Sequence, residues 1–152
     1  GAVGKVRRDP MAMLPFCGYN IGDYFRHWLD TGKRLTNPPL IFNVNWFRKS
    51  EDGKFLWPGF GDNMRVLKWI VDRCEGSDAA VKSPIGWLPG IHDLDLAELD
   101  IDHKSVAELL GIDHEEWKEE LEEHKKFFES LGGVVPEELE KQREQLAERF
   151  AK

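Results

Sequence analysis

The aromatic residues of this chain are not spread evenly along it. Twelve of the seventeen Phe, Trp and Tyr side chains lie between Phe16 and Trp69. The charges divide with them: residues 1–76 carry 12 basic and 8 acidic side chains, and residues 77–152 carry 9 and 20. A fold built from this chain must therefore house large flat rings in a mildly basic first half and solvate an acidic second half. The whole has a formal charge of −7 over 152 residues, a length that suffices for one packed core. Apolar residues at 41% and charged residues at 32% exclude a disordered or fibrous chain. Apolar runs are a few residues long, against the ~20 that a membrane span needs, and no secretory signal pattern is present. The start at Gly1 without Met is that expected of a fragment or a cleaved product. Cys17 and Cys74 lack CxxC or zinc-ligand spacing, so a reducing, cytoplasmic setting is expected.

Periodicity and turn chemistry predict helix, hairpin, helix, a long connection and three helices. A first helix is expected from Gly22-Asp23 to Thr31, with Tyr24, Phe25, Trp28 and Leu29 as its apolar stripe and Gly32 as its C-cap. Asn37-Pro38-Pro39 ends anything helical. From Leu40 to Phe47 the residues alternate as in a strand; Lys49 to Gly53 holds an Asp-Gly turn, and Lys54 to Trp57 would return antiparallel. Asn63 is expected to cap a helix from Met64 to Cys74 whose apolar face is Val66, Leu67, Ile70 and Val71. Residues 77–103 read as a loop-rich connection. A short helix spans Lys104 to Leu110. Asp113-x-x-Glu116 is a capping box for the next helix, which Gly132-Gly133 closes. Pro136, followed by Glu137-Glu138, opens a last helix with Leu139, Leu146 and Phe150 on its packed side.

One stretch concentrates residue types suited to a ligand: Asn45-Trp46-Phe47-Arg48-Lys49 and Lys54-Phe55-Leu56-Trp57-Pro58-Gly59-Phe60-Gly61-Asp62-Asn63. Aromatic rings at a turn either belong to the core or present flat faces on which a planar base stacks, at ~1–3 kcal/mol per base. Phe47 and Phe60 fall beside the turn and the Gly-x-Gly break, positions suited to stacking. A helix starting near Asn63 would point free N–H groups at an anion there. Other candidates read as structural: His27 as a packing residue, Cys17 and Cys74 as small apolar residues, and Asp93-x-Asp95 with Asp100-x-Asp102-His103 as a solvated loop. That acidic stretch lacks the central Gly and twelfth-position Glu of a calcium loop. No G-x-x-x-x-G-K-[ST] phosphate loop and no catalytic triad occurs. From the residues alone the stretch offers a possible base-stacking site and no catalytic set. It would suit a stand-alone single-stranded nucleic-acid or nucleotide-binding module using the aromatic hairpin, although the net negative charge weighs against nucleic acid.

The motifs Arg8-Asp9-Pro10-Met11-Ala12-Met13-x-Pro15-Phe16-x-Gly18-Tyr19-Asn20, Val44-Asn45-Trp46-Phe47-Arg48-Lys49 and Gly53-Lys54-Phe55-Leu56-Trp57-Pro58-Gly59-Phe60-Gly61-Asp62-Asn63 closely resemble the C-terminal part of GTP-dependent phosphoenolpyruvate carboxykinase. Arg65-Val66-Leu67-x-Trp69 and Ser83-Pro84-Ile85-Gly86 extend the likeness, which runs over residues 1–90 and more loosely through the acidic helices.

The resemblance implies a mixed α+β, helix-rich α/β fold: the C-terminal part of that family's nucleotide-binding domain, with an aromatic β-hairpin followed by helices. Residues 1–76 would be the lid hinge and guanine-binding part, with Gly1 to Lys5 the hinge itself, and residues 77–152 an acidic helical tail. It implies GTP and GDP as the nucleotides. Phe47 and Phe60 would hold the two faces of the guanine, with Phe55 alongside and Gly61, Asp62 and Asn63 reading the base. Phe16 would border the substrate, oxaloacetate or phosphoenolpyruvate. Cys17 and Ile21 stand where relatives often carry Phe, so packing on the substrate side differs. Manganese or magnesium would act in the complete enzyme, a monomeric gluconeogenic or anaplerotic lyase with neither nucleic-acid nor membrane partners. The family's phosphate loop, metal ligands and substrate-binding arginines have no counterpart in these residues. The isolated chain, separated from the rest of its parent polypeptide, is therefore expected to be inactive.

Overall fold

Local signals and packing agree best in the helices. The computed structural model describes residues 8–151, so the expected hinge at Gly1 to Lys5 lies outside the described residues. The chain divides into two compact units, Gly1–Pro38 with His114–Lys152, and Pro39–Asp113.

The first unit holds α1 (Ile21–Arg34), α4 (His114–Ser130) and α5 (Glu137–Phe150), preceded by short 3₁₀ turns at Pro10–Ala12 and Leu14–Phe16. Asn20 begins α1 by accepting a hydrogen bond from Gly22 N at 2.8 Å, and its own Nδ2 donates to Leu131 O at 3.0 Å. One short side chain thus caps one helix and satisfies the last turn of another. The helix does not stop at the expected Gly32. It runs on to Arg34, and Leu35 is the C-cap. Lys33 and Arg34 favour the extra turn at the negative end of the helix dipole, and Lys33 reaches Glu138 at 2.8 Å.

Gly132 and Gly133, at φ +70° and +79°, close α4 as expected, because only glycine takes left-handed backbone twice in succession at little cost. Pro136 is fully buried at the N-cap of α5. Helices α4 and α5 pack on each other through Leu121 and Phe150, both buried, with the Phe150 ring stacked on Trp117 at 5.6 Å and 13°. Arg8 grips Glu120 with two hydrogen bonds, 2.7 and 3.3 Å.

The second unit holds α2 (Asn63–Cys74), strands β1 (Val81–Ser83) and β2 (Gly86–Leu88), and α3 (His103–Leu110). The aromatic β-hairpin expected over residues 40–57 is not formed as two strands. It shrinks to a single antiparallel bridge, Lys49 to Phe55, flanked by Leu56 N to Arg48 O (3.0 Å) and Ser50 N to Lys54 O (2.9 Å). Two local chemistries cut the ladder short. The Asn45 side chain takes the Phe47 N–H at 2.9 Å, so the chain bends where a strand would continue. Pro58 denies the returning arm a donor. The two-stranded sheet lies instead in the stretch read as a loop, pairing Val81 with Leu88 and Ser83 with Gly86 around Pro84-Ile85. Gly86 makes this reversal possible at φ +130°.

The core of this unit is formed by Trp57, Trp69 and Val106. Trp69 meets Phe42 edge-on at 5.9 Å and donates its indole N–H to Ala79 O at 2.8 Å. The apolar face expected for α2 is therefore displaced: Leu67 and Val71 are exposed, and Trp69 faces inward. Among the described residues no helix is long and apolar enough to cross a membrane.

Two glycines of α1 predict opposite outcomes. A Cβ on Gly22 would lie 2.8 Å from Val134 O and 3.0 Å from Val134 C, backbone atoms that cannot step aside. Gly22→Ala should therefore destabilise the unit by ~1–3 kcal/mol. A Cβ on Gly32 meets nothing within 4 Å, so Gly32→Ala should stabilise by ~0.5–1 kcal/mol through helix propensity. Chemical denaturation of the two variants checks the signs, and equal signs would contradict the packing described.

Candidate functional site

The aromatic loop is built from residue chemistry that a strand would not allow. Ser50 to Gly53 form a tight turn closed by Gly53 N to Ser50 O at 2.9 Å, with Gly53 at φ +80°. Across the single bridge that follows, Phe47 and Phe55 meet edge-on, ring centres 6.1 Å apart at 60°, and the Lys49 ammonium sits 5.1 Å over the Phe55 ring. Both rings remain open to solvent, Phe47 at 72% and Phe55 at 58%.

Arg48, between these rings in sequence, holds the loop down. Its Nη1 donates to Leu109 O at 3.1 Å, in the last turn of α3, and to Gly111 O at 2.6 Å, at the C-cap of that helix. A cation suits that negative helix end.

Beyond Pro58 the chain enters unusual backbone. Gly59 adopts φ +83°, ψ −168°, a region reserved for glycine. Phe60 follows at φ +46°, left-handed for a bulky residue, and its ring is 96% exposed. Such a conformation costs roughly 1–3 kcal/mol and tends to occur at functional sites. Phe60–Asp62 is a 3₁₀ turn running directly into α2. Asp62 is engaged by Arg65 Nε at 3.0 Å, and Arg65 Nη1 donates onward to Asp95 O at 2.7 Å. Asn63 does not act as the expected helix cap; Asp62 stands at that position, without a side-chain cap bond. The Asn63 Oδ1 is occupied instead, accepting from the Trp57 indole Nε1 at 2.9 Å. Trp57 itself is only 6% exposed.

Of the residues singled out in the sequence, Phe47 and Phe55 are thus in direct contact, and Phe60, Gly61, Asp62 and Asn63 form one continuous turn in the same unit. The Phe60 ring touches no other aromatic ring among the described residues. Phe16 belongs to the other compact unit, at the end of the 3₁₀ turn Leu14–Phe16, and is 77% exposed. Asn45, Arg48 and Trp57 stand in the motif singled out in the sequence without roles of their own, and they hold the loop. Asn45 placed two residues before Phe47, the spacing of an Asx turn, was the available signal. Among the described residues no group of three or more His, Cys, Asp or Glu side chains is arranged to hold a metal ion, so these residues do not fit the manganese or magnesium of the resemblance.

The loop also carries a perturbed acid. Lys54, 2.8 Å from Asp52, and the Ser50 hydroxyl hold the Asp52 carboxyl at about 2. Because this value lies below the ordinary carboxylate range, the pairing favours the folded loop above about pH 3.8 and is lost as pH falls through about 2. A carboxyl titration followed by NMR should place Asp52 near that value. In Lys54→Met the value should rise toward the ordinary range, and no change would contradict the assigned partner. Arg48→Ala should loosen the loop against α3, lowering stability by ~1–3 kcal/mol; hydrogen exchange at the Ser50 and Leu56 amides reads the loosening directly.

Residues 1–149 match the family described as phosphoenolpyruvate carboxykinase C-terminal P-loop domain. The chain is 56% identical to phosphoenolpyruvate carboxykinase (GTP) of Anaeromyxobacter dehalogenans, across 98% of this chain and 25% of that protein. It is 56% identical to the protein of the same name from Thermoplasma volcanium, across 93% of this chain and 24% of that one. A third, from an Arthrobacter species, is 49% identical across 99% of this chain and 25% of its own length. The chain spans about a quarter of the length of the curated relatives it matches. With the aromatic loop, the Gly59–Asn63 turn and α2 all inside the matched region, the chain belongs to the phosphoenolpyruvate carboxykinase family, within its C-terminal domain.

Proposed function

We propose that this chain is the guanine-binding segment of a GTP-dependent phosphoenolpyruvate carboxykinase, a cytoplasmic lyase. The complete polypeptide converts oxaloacetate and GTP to phosphoenolpyruvate, GDP and carbon dioxide. The observation that carries this reading is the exposed Phe60 ring, held in costly left-handed backbone beside the N-terminus of α2. Strain and exposure together have no folded-state benefit, and a stacked base supplies one.

In this reading Phe47 and Phe60 take the two faces of the guanine. Phe55 supports Phe47 from its edge, and Gly61, Asp62 and Asn63 line the rim of the base. All of these lie within residues 1–76, and the acidic residues 77–152 supply helices that solvate and pack. Phe16 borders the carboxylate substrate. The phosphates and the divalent metal are held by other parts of the complete polypeptide, since the residues described supply neither a phosphate loop nor a metal cluster. The segment's own contribution is to bind and orient the nucleotide. Alone it is inactive.

The test is Phe60→Ala in the complete polypeptide. Because the ring is almost wholly exposed, its removal should leave the melting temperature unchanged while weakening GDP binding by about 1–3 kcal/mol. An unchanged GDP affinity would remove Phe60 from the site. Catalytic turnover by the 152-residue chain on its own would contradict the division of labour.

A further inference from the structure

The hydrogen bond between Trp57 and Asn63 has a consequence for which base the site accepts. An indole N–H is a donor only, whereas an asparagine amide has one accepting end and one donating end, joined to the same carbon. With Nε1 of Trp57 2.9 Å from Oδ1 of Asn63, the amide is oriented: its oxygen faces the indole and its NH2 group points the other way. The indole is buried, with Trp57 among the core residues of its unit. Rotating the amide by half a turn would set NH2 against N–H and leave a buried donor without an acceptor, an expensive arrangement. Asn63 is half-buried and lies one residue beyond the Phe60–Asp62 turn.

We infer that Trp57 is a specificity-determining positioning residue: by holding Oδ1 of Asn63, it makes that side chain present a donor, which suits a purine with a carbonyl at its six-position and not one with an amino group there. The inference rests on the guanine reading above and adds the residue that sets its direction. Trp57 touches no base in this scheme; it acts through Asn63. An amide free to turn would offer a donor to guanine in one orientation and an acceptor to adenine in the other, so selectivity would fall while stacking persisted.

The experiment is equilibrium binding of GDP, IDP and ADP to the complete polypeptide, wild type and variant. In Trp57→Phe the ratio of GDP to ADP affinity should fall by about 10-fold, the worth of one hydrogen bond at the upper end of its range. IDP, which shares the six-carbonyl and lacks the two-amino group, should follow GDP. Loss of packing alone would weaken all three nucleotides together and leave the ratios unchanged; that result would overturn the inference. Because Phe leaves space in a buried site, a second form replaces Trp57 with benzothienylalanine, in which sulfur takes the place of the N–H within a ring of similar shape. It should reproduce the loss of selectivity at unchanged melting temperature, and full retention of selectivity would equally overturn the role. A wild-type protein that binds GDP no better than ADP would instead sink the guanine reading, and this inference with it.

Discussion

The second unit depends on two indoles that are buried and still satisfied. Burying Trp57 and Trp69 removes large apolar areas from water, but each carries an N–H whose partner must also be buried or the gain is offset. Trp57 finds Asn63 and Trp69 finds Ala79 O. The first bond ties the end of the aromatic loop to the start of α2. The second ties the middle of α2 to the chain leading into β1. Gly59, Phe60 and Gly61 lie between the two residues joined by the first bond, so the segment that carries the exposed ring is anchored at both ends by a buried pair.

The same economy appears in the cations. Arg48 spends its guanidinium on the carbonyl end of α3, and Arg65 on Asp62 and Asp95 O. Neither approaches an aromatic face. Lys49, by contrast, lies over Phe55, where the negative face of the ring attracts it. A site with its basic side chains engaged in holding loops is suited to recognise a flat base by stacking and hydrogen bonding. It is less suited to neutralise phosphates, in keeping with the proposal that the chain contributes one part of a larger nucleotide site.

Much of this was legible in the sequence, and the reason is locality. Helix ends at Gly132 and Pro136 are encoded by a few neighbouring residues, because capping is an interaction between positions two to four apart. The aromatic motif was legible for another reason: the order of its residues marks the family. Where the reading failed, the causes were a side chain competing locally for a backbone donor and packing between residues distant in the chain. Alternation over Leu40–Phe47 gives the right rhythm for a strand, yet a strand needs a partner, and Asn45 had already taken the Phe47 N–H. Periodicity in α2 grouped Val66, Leu67, Ile70 and Val71 as one packed face, yet Leu67 and Val71 are exposed. It could not say which side of the helix has something to pack on, and Trp69 won that side through Phe42 and Ala79.

By itself, then, the sequence determined where the helices lie, where the turns fall, and which family the aromatic motif belongs to. All three follow from short-range hydrogen bonding, backbone preference and residue order. Only the tertiary structure decided which of the clustered rings are core and which face outward. It alone showed that Asn63 serves a buried indole and that Arg48 is anchored 61 and 63 residues away. Burial and the pairing of buried polar groups are properties of surfaces brought together, and a linear pattern does not state which surfaces meet.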